Sequence, residues 1–178
     1  MKALLKEIQY CLNNYIINHI PFWPLRLMLY RAQGLRIGNG SRILMGTRIL
    51  SPSMISIGNH SYINEYCYLD GRGGIKIGDN VTIAVYSKII SGSHDVDDAL
   101  FSYRADSITI NSNSVVFANC VVLGGANLEE GCVISASSLV RKGNYCKKGI
   151  YAGNPARFIR QRRSDCKYVQ DSWHPMFR

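Results

Sequence analysis

An aliphatic residue recurs every six positions along most of the chain between Ile37 and Val140. A small residue, usually Ser, Thr, Cys, Ala or Gly, stands four positions after nearly every one of them. An α-helix has a period of about 3.6 residues and an amphipathic strand a period of about 2, so neither produces this spacing. A hexapeptide repeat is typical of a parallel β-helix. The fifteen aliphatic positions are Ile37, Ile43, Ile49, Ile57, Ile63, Leu69, Ile77, Ile83, Ile89, Ile110, Val116, Val122, Leu128, Ile134 and Val140.

Three hexads make one triangular coil, and the repeat predicts a mainly β fold of about five coils. The aliphatic side chains fill the interior, and the small residues sit near corners where larger side chains do not fit. Each coil buries little surface alone, so stability comes from stacking. Residues 95–109 interrupt the register and predict a loop that protrudes from one corner, where functional residues are common. The predicted coils are 37–54, 57–74, 77–94, 110–127 and 128–145.

The two ends of the chain predict covers for this stack. Residues 1–36 have a helical pattern that breaks at Pro21 and Pro24 and ends at Gly34. This segment packs over the first coil, lies on a membrane surface, or does both. A short basic helix is expected after Pro155. We therefore expect three parts: a helical segment over 1–36, a β-helix over 37–151, and a basic segment over 152–178.

Positive charge is concentrated at the C-terminal end. The net charge of the chain is +9, yet residues 37–140 hold six basic and nine acidic residues, whereas residues 141–178 hold ten and two. This favours a phosphorylated ligand or an anionic membrane, while no motif for nucleic acid accompanies the charge. Six cysteines without a CxxC pair predict reduced thiols. Without a signal peptide or a transmembrane segment, we expect a cytoplasmic location, with the inner face of the membrane as the alternative.

Three segments carry a family resemblance: SGSHDVDD at 91–98, ANCVVLGGANLEEGCVISASSLVRK at 118–142 and AGNPARFIR at 152–160. With the repeat, they resemble the hexapeptide-repeat acyltransferases, and in particular the small bacterial O-acetyltransferases that modify sugars and surface polysaccharides. The segment IPFWPLRLMLYRAQGLRIG at 20–38 is similar to the lead-in of the polysaccharide-modifying members. The resemblance implies a left-handed parallel β-helix, a homotrimer with active sites between subunits, and acetyl-CoA as the donor.

His94 is the catalytic candidate, because it ends the third predicted coil and opens the long loop. Histidine side chains change protonation near neutral pH, so an imidazole can take a proton from an acceptor hydroxyl. The resemblance implies this role as general base, with direct attack of the hydroxyl on acetyl-CoA. The neighbouring Asp95 either orients the imidazole, contacts the acceptor, or is only a turn residue.

The remaining site residues follow from the resemblance. The resemblance implies that the cofactor candidates line the pantetheine arm of CoA or contact its phosphate and adenine. The acceptor candidates lie on the second predicted coil and in the loop. Tyr66 stands where relatives carry an Asn, and Tyr86, Phe101 and Arg104 are further candidates for a wall against a sugar ring. The cofactor candidates are Gly124, Gly125, Ala126, Ser135, Ala136, Ser137, Lys142, Pro155, Arg157 and Arg160. The acceptor candidates are Asn64, Glu65, Tyr66, Asp70, Asp95 and Tyr103.

The sequence thus predicts an enzyme that acetylates a sugar hydroxyl in surface or capsular polysaccharide or lipopolysaccharide synthesis. An antibiotic or a small free sugar is an alternative acceptor, and a non-catalytic trimeric scaffold is a second alternative. The γ-type carbonic anhydrases share the expected fold but need three histidines for zinc, and only His60 and His94 lie within the predicted coils. No metal is therefore expected.

Overall fold

The computed structural model describes residues 2–170 and 175–177. Two helices precede the β-structure: α1 is Lys2–Cys11 and α2 is Trp23–Ala32. A π-helical turn at Leu12–Ile16 and a 3₁₀ turn at Ile17–His19 join them. Pro24 lies in the first turn of α2, where its missing N–H costs no helical hydrogen bond. No helix within these described ranges is long and apolar enough to cross a membrane.

Twenty short strands follow in chain order: β1 (Arg36–Ile37), β2 (Arg42–Ile43), β3 (Arg48–Leu50), β4 (Ile55–Ile57), β5 (Tyr62–Ile63), β6 (Tyr68–Asp70), β7 (Ile75–Ile77), β8 (Thr82–Ile83), β9 (Lys88–Ile90), β10 (Gly92–His94), β11 (Tyr103–Ala105), β12 (Ile108–Ile110), β13 (Val115–Val116), β14 (Val121–Leu123), β15 (Ala126–Leu128), β16 (Val133–Ile134), β17 (Leu139–Val140), β18 (Gly143–Tyr145), β19 (Gly149–Ala152) and β20 (Arg157–Gln161). Single 3₁₀ turns at Pro52–Met54 and Gly71–Gly73 lie between strands of successive coils.

Apart from the β10–β11 pair, the described strands form three sheets that are the faces of a β-helix, and their pairing is parallel except at β20. Sheet A is ordered β1-β4-β7-β12-β15-β18, sheet B is β2-β5-β8-β13-β16-β19-β20, and sheet C is β3-β6-β9-β14-β17. The chain passes from A to B to C in every coil, so three columns of turns run along the stack as the A–B, B–C and C–A corners. Paired residues in neighbouring coils, such as Ile43↔Ile63 and Ile63↔Ile83, stack the predicted aliphatic positions on one another. The predicted β-helix is confirmed.

The small residues near the corners do more than avoid a clash. The Ser41 hydroxyl donates to the Gly58 carbonyl at 2.6 Å and accepts from the Ser61 N–H at 2.8 Å. Ser61 repeats both bonds one coil further, to the Gly78 carbonyl at 2.9 Å and from the Val81 N–H at 2.9 Å. These bonds pair backbone groups that the turns leave without a strand partner, which stabilises buried corners.

A sixth, partial turn extends the stack beyond the five predicted coils. Tyr145 pairs with Leu128 and Tyr151 pairs with Ile134, and both tyrosines are buried. The two tyrosines are six residues apart, but each comes one residue earlier in the chain than the register that ends at Val140 would place it. A search for aliphatic residues misses them because aromatic side chains close the last layer of the core.

The predicted basic helix after Pro155 is wrong. Residues 157–161 form β20, which pairs antiparallel with β19. A helix of so few residues is marginal in water, whereas the last strand of a sheet offers a row of unpaired backbone groups. Phe158 also packs its ring on Tyr151, at a centroid separation of 5.6 Å.

The chain after β20 turns back along the A–B corner. The Arg162 guanidinium donates to the carbonyls of Asn113 and Gly131, each at 3.3 Å. Further down the stack, the Gln170 side-chain amide donates to the Thr82 hydroxyl at 2.6 Å. The tail therefore covers one corner of the β-helix and leaves the other two corners to form a site.

The N-terminal segment closes the other end of the stack. Trp23, Arg26 and Tyr30 of α2 are all buried, so the interpretation in which this part packs over the first coil is confirmed. Arg26 donates to the carbonyls of Ile20, Pro21 and Ile43. Its buried guanidinium is therefore fixed between the cap and the first coil.

Candidate functional site

The loop corner is the part of the C–A corner that carries the insertion. β10 and β11 pair antiparallel, with His94 opposite Tyr103, so the insertion begins as a hairpin that leaves the β-helix. The Asp106 N–H donates to the Ser91 carbonyl at 3.0 Å and returns the chain to the stack. The coil strand then begins at Ile108, two residues earlier than the repeat predicts. The hairpin holds His94 at the surface beside the third coil.

The ring of His94 is held on three sides. It stacks on the Phe101 ring with centroids 4.5 Å apart and planes 4° apart, and it meets the Tyr103 ring edge-on at 5.6 Å. Its Nδ1 lies 2.8 Å from the Phe101 carbonyl oxygen. A carbonyl oxygen can only accept, so Nδ1 carries the proton in this hydrogen bond. In the neutral imidazole, Nε2 is therefore the nitrogen with the free lone pair.

Asp95 does not orient the imidazole. Its carboxylate forms an ion pair with Arg104 and accepts a hydrogen bond from the Asp97 N–H at 3.1 Å. The turn interpretation of Asp95 fits these contacts, and the backbone of Phe101 takes the orienting role. Arg104 is the partner of Asp95 in this ion pair, and the pair stabilises the base of the loop.

A cleft of about 290 Å³ lies between the loop and the fourth and fifth coils. Gly92, His94, Gly124 and Lys142 line it. The Lys142 ammonium lies 3.2 Å from the Asp106 carboxylate, and both side chains are largely exposed. The cleft thus joins the catalytic candidate to predicted cofactor residues at a surface where glycines leave the backbone accessible.

Ala126, also a cofactor candidate, does not face this cleft. It is 1% exposed and belongs to the core at the start of β15. Its small side chain fits the interior of the corner, so the structure gives it a packing role. Gly125 at the preceding position has a φ of +79°, and a Cβ there would lie 2.7 Å from the Lys142 side chain. A larger residue at 125 would displace Lys142.

Asp70, an acceptor candidate, is wrong as a contact residue. Its side chain is 1% exposed and binds the Arg72 guanidinium through two bonds, Nε to Oδ1 at 2.9 Å and Nη2 to Oδ2 at 2.7 Å. Burial alone would raise the pKa of Asp70, but the hydrogen bonds and charge of Arg72 outweigh it and lower the pKa. The exposed group at this place is Arg72, which lies over the Tyr103 ring at 5.3 Å.

The other acceptor candidates and part of the cofactor set lie on the B–C corner. Tyr66 and Tyr86 stack there with centroids 5.5 Å apart and planes 15° apart, and both are more than half exposed. Both occupy left-handed corner positions with φ of 57° and 63°. A single chain therefore separates this set from His94 by the width of sheet C. The residues of this corner set are Asn64, Glu65, Tyr66, Ser135, Ala136 and Ser137.

Pro155, Arg157 and Arg160 lie at the far end of the stack. Pro155 is in the turn between β19 and β20, and the two arginines are exposed on β20. They lie above the fifth coil, whereas the residues after β20 follow the A–B corner. Of the basic residues in 141–178, Arg141 and Lys142 line the cleft on the C–A corner.

No protein-family model matches the chain. The chain is 29% identical over 137 residues to WcaF of Escherichia coli K12, a protein named as an acetyltransferase of colanic acid biosynthesis, and the match covers 77% of this chain and 75% of that protein. A hexapeptide-repeat acetyltransferase of Vibrio cholerae, solved with acetyl-CoA, has a TM-score of 0.81 and 25% identity over 89% of this chain and 87% of its own. A maltose O-acetyltransferase of Clostridium difficile has a TM-score of 0.83 and 23% identity, and the match covers 92% of this chain and 90% of that protein.

In fold and in sequence, the chain is therefore similar to acetyltransferases that are built from hexapeptide repeats. The likeness in fold covers about nine-tenths of the chain and therefore extends beyond the coils. The fold is the predicted left-handed parallel β-helix.

The buried thiols of this hexapeptide-repeat protein are poor nucleophiles. Burial raises the pKa of Cys67 and of Cys132 to about 12, and it also raises the pKa of Cys120. Each occupies a small corner position and is fully buried. The steric interpretation of these cysteines fits, and none of the three is available to carry an acyl group.

A metal centre is also without a structural basis in the described part of the chain. Residues 2–170 and 175–177 contain no group of three or more His, Cys, Asp or Glu side chains that could hold a metal ion. His60 lies on the A–B corner and His94 on the C–A corner, so the two histidines of the coils do not converge.

Proposed function

We propose that this protein transfers the acetyl group of acetyl-CoA to a hydroxyl of a sugar, with His94 as the general base. The observation that carries the proposal is the fixed imidazole of His94, which is held by the Phe101 carbonyl and faces a cleft that also contains Lys142 and Gly124. Acetyl-CoA in the solved V. cholerae relative and the sugar named for the C. difficile relative support the donor and the acceptor class.

In the proposed step, Nε2 of His94 takes the proton of the acceptor hydroxyl as its oxygen bonds to the thioester carbonyl carbon. The tetrahedral intermediate then collapses, the C–S bond breaks, and the CoA sulfur leaves with the proton from the imidazolium. The Phe101 carbonyl stabilises the imidazolium because it accepts the Nδ1–H bond throughout. No covalent acyl-enzyme is required, which agrees with the buried, weakly acidic thiols.

The active unit in this proposal is a homotrimer. One chain places His94 on the C–A corner and the candidate residues Ser135 and Ser137 on the B–C corner, with sheet C between them. A second copy that brings its B–C corner against the loop corner joins the two sets. Val96 and Leu100 of the loop are 79% and 86% exposed, which suits burial against such a copy.

Lys142 is proposed to meet a phosphate of CoA at the mouth of the cleft. We expect Lys142→Met to weaken CoA binding about fivefold, because one exposed charge pair contributes up to about 1 kcal/mol. Calorimetry with CoA measures this, and Lys147→Met, on the A–B corner and paired with Glu130, is the matched control. Equal affinity of the Lys142→Met variant and the wild type would remove Lys142 from the CoA site.

A surface polysaccharide, capsule or lipopolysaccharide precursor is the proposed acceptor. WcaF, which is similar over three-quarters of the chain, is named for the synthesis of colanic acid. We place the protein at the cytoplasmic face of a membrane as a peripheral protein. The exposed apolar side chains of α1 support this placement, and they include Leu4, Leu5, Ile8 and Leu12.

Membrane contact through α1 predicts a measurable loss when one of these side chains becomes charged. We expect Leu5→Asp to lower partition onto anionic phosphatidylglycerol vesicles about tenfold or more, since burying a leucine contributes roughly 1.5–3 kcal/mol. Val169→Asp changes an exposed apolar residue of the C-terminal segment and serves as the control. Vesicle sedimentation that is unchanged by Leu5→Asp would place the protein away from the membrane.

The test of the proposed function is release of CoA thiol from acetyl-CoA in the presence of candidate acceptors. Neutral mono- and oligosaccharides and hydroxyl-bearing antibiotics form the panel, and calorimetry of CoA runs beside it. Sugar-dependent turnover supports the proposal, and turnover on antibiotics alone would make drugs the acceptor. Failure to bind CoA would overturn the enzyme and leave the scaffold.

A further inference from the structure

A second depression lies on the C–A corner toward the N-terminal end of the stack. Its volume is about 710 Å³, within the range of about 300–1,000 Å³ that is typical of small-molecule sites. The N-terminal segment forms one wall, the turn after β3 forms the floor, and the loop corner forms the other wall. The side chains used below are Gln9, Tyr10, Asn13, Met54, Arg72 and Tyr103.

This cavity meets the catalytic cleft at a shared wall. Tyr103 lines the cavity and also contacts the His94 ring at 5.6 Å. A Cβ on Gly92, which lines the cleft, would lie 2.8 Å from Arg72 Nη2 and 2.9 Å from the Tyr103 hydroxyl. The cavity and the cleft therefore lie on opposite sides of the hairpin, with His94 between them.

The lining of the cavity is polar and aromatic but carries little net charge. Among the described side chains that line it, Arg72 is the only formally charged one, and Asp70 neutralises it through two hydrogen bonds. Gln9 contributes an amide, while Tyr10 and Tyr103 contribute ring faces and hydroxyls. Amides, hydroxyls and aromatic faces match the hydroxyls and C–H faces of an uncharged sugar, whereas an anionic ligand would find no unpaired cation here.

Asn13 is a buried residue of the wall that the N-terminal segment forms. The residue is 1% exposed, and its Oδ1 accepts from the Gln33 amide at 2.7 Å. Its Nδ2 has no hydrogen-bond partner among the described residues. A buried donor without a partner costs about 1–3 kcal/mol, and because this Nδ2 is closed to solvent it destabilises the wall locally and does not contact the cavity.

We propose that this cavity binds the part of a neutral oligosaccharide that lies beyond the sugar being acetylated. The inference rests on the proposed function and names its substrate class. The acetylated sugar occupies the space beside His94, the following sugars pass Tyr103 and Arg72, and they end against α1. Acetyl-CoA then enters from the fourth and fifth coils, so the two substrates reach His94 from opposite ends of one corner.

Met54 allows the cavity to be filled without touching the catalytic groups. It lies in the 3₁₀ turn on the cavity floor and is 51% exposed. We expect Met54→Trp to lower kcat/KM for the neutral oligosaccharides of the panel about tenfold and to leave the value for the neutral monosaccharides within about twofold. Met28→Trp, on α2 and 58% exposed, is the control and leaves both values unchanged.

The outcomes separate this inference from the proposed function. Loss confined to oligosaccharides, with unchanged affinity for CoA, supports the cavity as the acceptor extension. Equal kcat/KM values for Met54→Trp and the wild type on every oligosaccharide would overturn the inference while the proposed function stands, and so would an equal loss on monosaccharides. A wild type that binds CoA but acetylates no sugar would overturn both.

Discussion

We expect the His94→Gln variant to transfer acetyl groups about 10²–10⁴ times more slowly than the wild type, which is the usual contribution of a general base. Glutamine retains a polar side chain of similar reach, but its amide cannot take the proton of the acceptor hydroxyl. Binding of acetyl-CoA should be unchanged, because the cleft is also formed by Gly124 and Lys142. The measurement is thiol release at saturating acetyl-CoA, with calorimetry of CoA for both proteins.

The control for this prediction is His19→Gln. His19 is exposed in the 3₁₀ turn of the N-terminal segment, away from the cleft. It should retain wild-type turnover, which excludes a general effect of removing a histidine. A His94→Gln variant with wild-type turnover would show that another group, or no group, accepts the proton.

The second large effect concerns stability. We expect Arg26→Met to lower the free energy of unfolding by about 3 kcal/mol or more, because the change leaves the carbonyls of Ile20, Pro21 and Ile43 without their charged donor, at about 1–3 kcal/mol each. Arg26 is fully buried, and its guanidinium also lies 5.4 Å from the Trp23 ring. The measurement is urea unfolding at a fixed protein concentration.

Arg36→Met is the matched control, since Arg36 is exposed on β1. A substitution at such a surface site usually changes stability by less than about 0.5 kcal/mol. A loss for Arg26→Met no larger than this would mean that the N-terminal cap is not anchored through Arg26. The stack would then derive its stability from the coils alone.

The sequence pattern predicts the coils well because every inward position obeys the same steric rule. Ile43, Ile63 and Ile83 stack as the period requires, and the insertion leaves at the predicted corner. The two ends are harder to predict because no repeat constrains them. Tyr145 closes the core beyond the last aliphatic position of the repeat, and Phe158 lies on a strand that pairs with an open sheet edge.

In the N-terminal segment, the amphipathic pattern alone does not show which helix packs on the β-helix and which is exposed. Arg26 and Tyr30 lie in an amphipathic helix that fits a membrane surface, yet both are buried against the first coil. The helix that does expose apolar side chains is α1, with Leu5 and Ile8 both about half exposed. The helix α2 caps the stack because the Arg26 guanidinium binds backbone carbonyls. Such contacts produce no periodic pattern in the sequence.

The same distinction applies to the candidate site: the sequence pattern identifies some residues, but their contacts depend on the fold. His94 is recognisable because the loop begins at it, but its orientation depends on the backbone carbonyl of Phe101, which any residue could supply. Asp70 reads as an acceptor contact, although its partner Arg72 is the exposed member of the pair. One chain also places some of the predicted site residues on the C–A corner and others on the B–C corner. The spacing of residues in the sequence cannot show which corners of two copies meet in an assembly.

Direct transfer from acetyl-CoA to a sugar oxygen is the central claim, and acetyl-labelled CoA tests it most directly. The wild-type protein is incubated with the labelled donor, first alone and then with the neutral oligosaccharide panel, and protein and sugars are analysed by mass spectrometry. The account predicts no labelled protein in either case and an O-acetylated sugar formed in equal amount with free CoA. Label held on a cysteine of the protein before the sugar is added would contradict it.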